Sequence, residues 1–265
     1  MRVIAVANQK GGVGKTTTSV NLAASLALSG SKVLLIDLDP QGNATMGCGV
    51  DKRELDNSIY EWLIEGTALE QVVQPCTGSF EILPANLDLT AAEMALYQEE
   101  DRREFRMRDR LYAEGTKYDY IIIDCPPSLS ILTINALIAA RGVLIPMQCE
   151  YYALEGLAAL LETIEEVRAR ANPELEVEGL LRTMYDPRNG LTREVSRQLI
   201  QHFQDQVFRT VIPRNVRLAE APSHGLPAIL YDRTSRGAVA YMALAGELRQ
   251  KHLRESEQAR GGQSE

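Results

Sequence analysis

Cysteine is scarce in this chain of 265 residues: Cys48, Cys76, Cys125 and Cys149 lie far apart and form no CxxC pair. That spacing excludes a zinc site and a disulfide framework, and it fits reduced thiols in a cytosol. Long hydrophobic runs are also missing. The apolar segment Cys125–Ala140 holds two prolines and falls short of the ~20 residues that span a bilayer. The start, MRVIAVANQKGG, has too short an apolar stretch for a signal sequence and no cleavage site after it. No repeat and no linker rich in Gly, Ser or Pro divides the chain. Positive charge is in deficit, with 28 Lys+Arg against 36 Asp+Glu and a net charge of −8. This argues against a histone-like coating protein and leaves room for a local basic face. With 45% hydrophobic and 24% charged residues, the composition is that of a soluble, intracellular globular protein with no membrane role.

What is present alternates. Val3–Ala7, Val33–Ile36, Ile121–Ile123, Val143–Ile145, Val177–Leu181 and Val207–Ile212 are short apolar runs rich in β-branched residues. Several are apolar without alternation, as strands covered on both faces are. Helical patterns separate them: Lys15–Ser29, Leu87–Tyr112 (broken in two), Ser130–Ala140, Leu154–Ala171, Thr192–Asp205 and Ser235–His252. The order predicts an α/β fold, a doubly wound and mostly parallel sheet with helices on both faces. One domain is expected over residues 1–253, with residues 254–265 a polar, disordered tail. The charged run Glu99–Arg110 reads as a solvated helix face.

The strongest signal is AVANQKGGVGKTTTSVNLA, residues 5–23. A strand enters a turn holding Gly11, Gly12 and Gly14, around Val13, and a helix follows from Lys15. Glycines let backbone N–H groups approach an anion, and the helix start adds free N–H groups and a positive dipole end. Lys15 can reach phosphate oxygens, and Thr16, followed by Thr17, offers a hydroxyl to Mg²⁺. The common pattern GxxxxGK[ST] fails, because Gln9 stands where its first glycine belongs. The variant KGGxGK[ST] is met in full from Lys10 to Thr16. A second cation at Lys10 would crowd Lys15 unless phosphate lies nearby. Two other strands end in carboxylates: VLLIDLDPQGN puts Asp37 and Asp39 past one, and YDYIIIDCPP puts Asp124 at the end of another. In open α/β sheets ligands sit beyond the carboxyl ends of the strands. These acids can therefore converge on the loop, where Asp124 is a candidate to hold Mg²⁺ directly or through water.

These motifs resemble the deviant Walker A loop of the MinD/ParA superfamily of P-loop ATPases. The wider match, through DCPPSL (124–129), PMQCEYYALEGL (146–157), TMYDPRNGL (183–191) and VIPRNVRLAEAPSHGLP (211–227), is similar to the ParA/Soj-type chromosome-partitioning ATPases over roughly residues 2–250. The resemblance implies that Lys10 crosses a dimer to the partner's nucleotide, as an arginine finger does. It also implies that Asp39 serves hydrolysis by positioning the attacking water, that Asp37 then supports Mg²⁺-bound water, and that Pro213 and Asn215 help to hold adenine. From Arg182 to Arg217 seven arginines face three acids, a local +4. The family binds DNA without sequence preference through its C-terminal half; Arg188 and Arg217 match positions it uses, with Arg214, Arg233 and Arg236 as weaker candidates. The expected partners are a second copy in the presence of ATP, non-specific double-stranded DNA and a ParB (Spo0J)-type protein, at the nucleoid in the cytoplasm. A MinD-like reading would need an apolar C-terminal face, which RQKHLRESEQARGGQSE lacks. The rival of another class is a metabolic P-loop enzyme that spends ATP on a small substrate. The chain carries no long extension ahead of Val3, so no separate operator-binding domain is expected.

Overall fold

All six apolar runs become strands, and two short ones join them. The computed structural model describes residues 1–99, 101–151 and 153–261, the side chains of 259–261 excepted. Its strands are β1 (Arg2–Val6), β2 (Val33–Asp37), β3 (Gln74–Cys76), β4 (Phe80–Leu83), β5 (Tyr120–Asp124), β6 (Gly142–Gln148), β7 (Glu176–Tyr185) and β8 (Val207–Pro213). Among the described residues they form one eight-stranded sheet in the order β3-β4-β2-β5-β1-β6-β7-β8. Every neighbouring pair is parallel except β3 with β4.

The central strands read as solid apolar runs because both faces are covered. Val3 and Ala5 pack into one core cluster and Ile4 and Val6 into the other. Ile121 and Ile123 likewise face away from Ile122, the period-2 pleat of a strand. One layer holds the helices Ile131–Ala139 and Ala153–Arg170, and the other holds Lys15–Leu28 and Arg236–Gly261. The pattern expected over Leu87–Tyr112 divides into Leu89–Gln98 and Arg106–Glu114.

Both sheet edges are blunted. Pro75 sits in the three-residue edge strand β3, where a missing N–H costs least. On β8, Glu247 accepts hydrogen bonds from the N–H groups of Arg209 (2.7 Å) and Thr210 (3.0 Å), so the final helix caps donors that would otherwise template another strand.

The last helix departs from the sequence reading. It runs past Leu253 to Gly261 where a disordered tail from residue 254 was expected. A long-range pair ties its first extra turn to the sheet: Glu255 Oε2 lies 2.6 Å from Arg2 Nη1 at the start of β1. Arg2 also meets the fully buried Glu178 carboxylate at 3.1 Å, and Lys251 (2.8 Å) and His252 (3.1 Å) close the cluster from the helix. Residues 262–265 of the expected tail lie outside the described residues.

Candidate functional site

The chain leaves β1 through Ala7 and Asn8 and enters the phosphate loop. Gly12 (φ 74°) and Gly14 (φ 89°) take left-handed conformations there, which a side chain disfavours. Gly14 is the N-cap of the helix Lys15–Leu28 and offers no side-chain cap, so the first N–H groups of that helix face the loop unsatisfied. The Val13 side chain is buried and anchors the turn. Lys15 is buried too, with Nζ 3.2 Å from the Lys10 carbonyl. Burial holds its ammonium below the ordinary lysine range, against the pull of Asp124, Cys125 and Asp39. A cation so poorly hydrated gains much from an anion placed beside it.

Parallel pairing brings the carboxylates together. Asp37 and Asp124 are register partners across β2 and β5, and Asp124 also pairs with Val6, the last residue of β1. Both acids are buried, and burial lifts both carboxyls above the ordinary range, with the neighbouring Asp37 adding to the effect on Asp124. Their hydrogen bonding differs. Asp37 Oδ2 accepts from the Thr45 N–H (2.8 Å) and hydroxyl (2.7 Å), and Oδ1 from the Asp39 N–H (3.2 Å). Its oxygens are thus occupied in fixing the segment that carries Asp39. Asp124 Oδ1 accepts from the Ser19 hydroxyl at 2.8 Å and the Thr16 hydroxyl also favours its charged form, whereas Oδ2 is buried with no partner within hydrogen-bond geometry. A buried carboxylate oxygen with no donor is costly, and a cation there would remove the cost. Among the described residues no cluster of three or more His, Cys, Asp or Glu could hold a metal. Mg²⁺ binds through one or two carboxylates, phosphates and water, and Asp124 is a carboxylate that could take that part. Asp39 stands half-buried with Oδ1 taken by the Gln41 N–H.

Lys10 is exposed at the loop entrance. Its N–H is held by Asn8 Oδ1 (2.9 Å), and its Nζ lies 2.7 Å from Glu150 Oε2 of the same chain. The sequence reading missed Glu150, because its position beside Lys10 depends on β6 lying next to β1.

A cleft of about 470 Å³ opens next to the loop, lined by Gly14, Thr17, Met184, Pro213, Asn215 and Tyr241 among others. Pro213 and Asn215 thus lie where a group attached to the phosphates would be held. Asn215 Oδ1 is buried without a hydrogen-bond partner, an acceptor open to an amino group. Met184 and Tyr241 were not foreseen.

The arginines separate. Arg182 is buried: its guanidinium donates to Ser196 Oγ (2.9 Å) and the Phe208 carbonyl (2.8 Å), so it contributes nothing to a surface. Arg188 is exposed and forks onto Asp186 at 2.9 and 2.8 Å. Arg214 is exposed on the cleft rim, and its field helps Arg188 hold the Asp186 carboxyl down to about 2. Arg217 pairs with Glu220 (2.6 Å) and Asp232 (3.3 Å). Arg233 and Arg236 are exposed.

The strand order, the phosphate loop and the carboxylates at the ends of β2 and β5 define a P-loop ATPase of the deviant Walker A kind. The family described as an AAA domain matches residues 1–177. An uncharacterised protein of Pseudomonas putida is 61% identical over 97% of this chain and 98% of its own. The chromosome-partitioning ATPase Soj of Thermus thermophilus is 54% identical over 94% of this chain and 95% of its own. Among solved structures, cobyrinic acid a,c-diamide synthase from Mycobacterium smegmatis with bound ATP analogue and magnesium is 38% identical, with a TM-score of 0.81 over 93% of each chain. The chain belongs to the ParA/Soj family of chromosome-partitioning ATPases.

Proposed function

We propose that this chain works as a nucleotide-controlled switch that holds and releases DNA during chromosome or plasmid partitioning. ATP is its substrate, and residues 10–17 cradle the phosphates. Bound Mg²⁺ would neutralise charge between the phosphate oxygens, held by Asp124 and the Thr16 hydroxyl, with Asp37 supporting its water. Lys15 contributes a buried cation, and Asp39 orients the attacking water. Pro213 and Asn215 hold the base, Asn215 Oδ1 accepting from the adenine amino group. What supports this reading is the convergence of the loop, Asp39 and the unpaired Asp124 oxygen at the ends of three neighbouring strands.

Two copies close face to face, and each Lys10 leaves its own Glu150 for the other copy's phosphates. The closed pair grips double-stranded DNA through Arg188, Arg214 and Arg217, and avidity makes two weak surfaces one firm one. Hydrolysis reopens the pair, and a ParB-type partner speeds that step. The site of action is the nucleoid, in the cytoplasm. Among the described residues no helix is long and apolar enough to cross a membrane.

The test is DNA binding with ATP, ADP and no nucleotide, repeated with Lys10→Ala. Binding that needs ATP, and that Lys10→Ala loses while keeping nucleotide affinity, is the expected result. Equal binding in all three states overturns the switch.

A further inference from the structure

The phosphate loop is gripped from behind by three adjacent strands. At the end of β1, Asn8 takes the Lys10 N–H on Oδ1 and donates from Nδ2 to the Pro146 carbonyl of β6 at 2.8 Å. At the end of β6, Gln148 Nε2 donates to the Gly12 carbonyl at 3.1 Å. On β7, Thr183 Oγ1 donates to the Val13 carbonyl at 2.7 Å.

These contacts set the direction of the loop's N–H groups. In a trans peptide the carbonyl of one residue and the N–H of the next point opposite ways, and the chain holds no cis peptide among the described residues. Drawing the Gly12 carbonyl toward Gln148 turns the Val13 N–H away from β6. Drawing the Val13 carbonyl toward Thr183 turns the Gly14 N–H away from β7. Neither N–H has an acceptor within the protein among the described residues. The backbone could not hold this alone, since left-handed glycines on either side of Val13 leave both peptide planes free to flip. A flipped plane would aim a carbonyl at an anion.

We infer that Thr183 and Gln148 are positioning residues of the phosphate site, fixing two consecutive peptide planes so that their N–H groups meet a phosphate oxyanion. The inference rests on the assignment of phosphate to this loop. The two differ in weight. Thr183 is buried, so its hydroxyl has no water to replace it; Gln148 is half-buried, and water can substitute in part. Thr183 also precedes Met184, whose φ of 48° is uncommon for a side chain. That turn places Met184 on the wall of the base cleft, its Sδ against the Gln148 amide. The same pair therefore ties the cleft to the loop.

The experiment is calorimetric titration of ADP and of adenosine, which lacks phosphate, into wild type, Thr183→Val, Thr183→Ser and Gln148→Leu. Thr183→Val keeps the β-branched shape and loses the hydroxyl, so ADP affinity falls about tenfold while adenosine affinity holds. Thr183→Ser restores ADP binding to within about twofold, and Gln148→Leu loses less than Thr183→Val. Equal ADP affinity in Thr183→Val and wild type overturns the positioning role, as does a parallel loss of adenosine or a failure of Thr183→Ser to rescue. Wild type that binds adenosine and ADP equally well overturns instead the phosphate assignment beneath it.

Discussion

Replacing Glu150 with Gln should tighten the ATP-dependent pair of subunits. In the single chain, Lys10 Nζ rests 2.7 Å from Glu150 Oε2, with the two side chains 42% and 46% exposed. An ion pair so open to water is worth at most about 1 kcal/mol. That energy is lost when Lys10 swings to another copy's phosphates, and it is lost twice per dimer. Removing the Glu150 charge therefore favours closure by up to about 2 kcal/mol, or about thirtyfold in dissociation constant. Folding stability changes by less than about 0.5 kcal/mol, because the site is on the surface. Sedimentation velocity with Mg-ATP, in an Asp39→Ala background that halts turnover, measures the effect. The gain should shrink as salt rises, and it should vanish when Lys10→Ala is combined with Glu150→Gln, since the two residues then share no interaction to lose. Dimerisation that is unchanged or weaker in Glu150→Gln would refute the reasoning, and so would the same gain in the Lys10→Ala background.

Asp39→Ala should abolish phosphate release while ATP binding stays within about twofold, since Asp39 acts on water and not on the loop; matched turnover in mutant and wild type removes it from that role. Glu178→Gln should cost about 3 kcal/mol at neutral pH, read from denaturant unfolding, because Arg2, Lys251 and His252 then face a buried neutral amide. Burial alone would raise the Glu178 carboxyl, but the His252 and Lys251 contacts outweigh it and bring it from 4.5 down to about 2. A depressed carboxylate stabilises the fold above its unfolded pKa. The contribution, about 3 kcal/mol, is therefore full above pH 4.5 and fades as the pH falls toward 2. The glutamine variant should lack that acid limb, and an identical acid profile in both proteins would contradict the assignment. Arg217→Glu should weaken DNA binding and flatten its dependence on salt by about one charge per subunit; an unchanged slope would move the DNA surface elsewhere.

The sheet was legible where the chemistry was local. Six strands announced themselves as apolar runs, and the strand–glycine–lysine–helix order placed the phosphate loop before any coordinates. β3 and β4 did not, because QPC is three residues around a proline and Glu81 interrupts the apolar run of FEIL. The end of the final helix misled for a different reason. RESEQAR looks soluble and idle until Glu255 is set beside Arg2, 253 positions away. Arg182 was counted with a basic face that it does not join, since its hydroxyl and carbonyl partners come from two other stretches of chain, Ser196 on a helix and Phe208 and Arg209 on β8.

The same distinction explains which half of the site was visible. Lys15, Thr16, Asp37, Asp39 and Asp124 carry chemistry that their own motifs declare. Gln148, Thr183 and Glu150 carry none by type; an amide, a hydroxyl and a carboxylate at strand ends occur in any α/β sheet. They matter because β1, β6 and β7 are neighbours, which lays the loop leaving β1 across the ends of the next two strands. Sheet order is a long-range property with no local signature. It is also what turns a flexible glycine loop into a fixed row of donors, because a peptide plane between two left-handed glycines is held only by what its carbonyl meets. A sequence can thus name the residues proposed for the phosphates while hiding those that set the backbone around them.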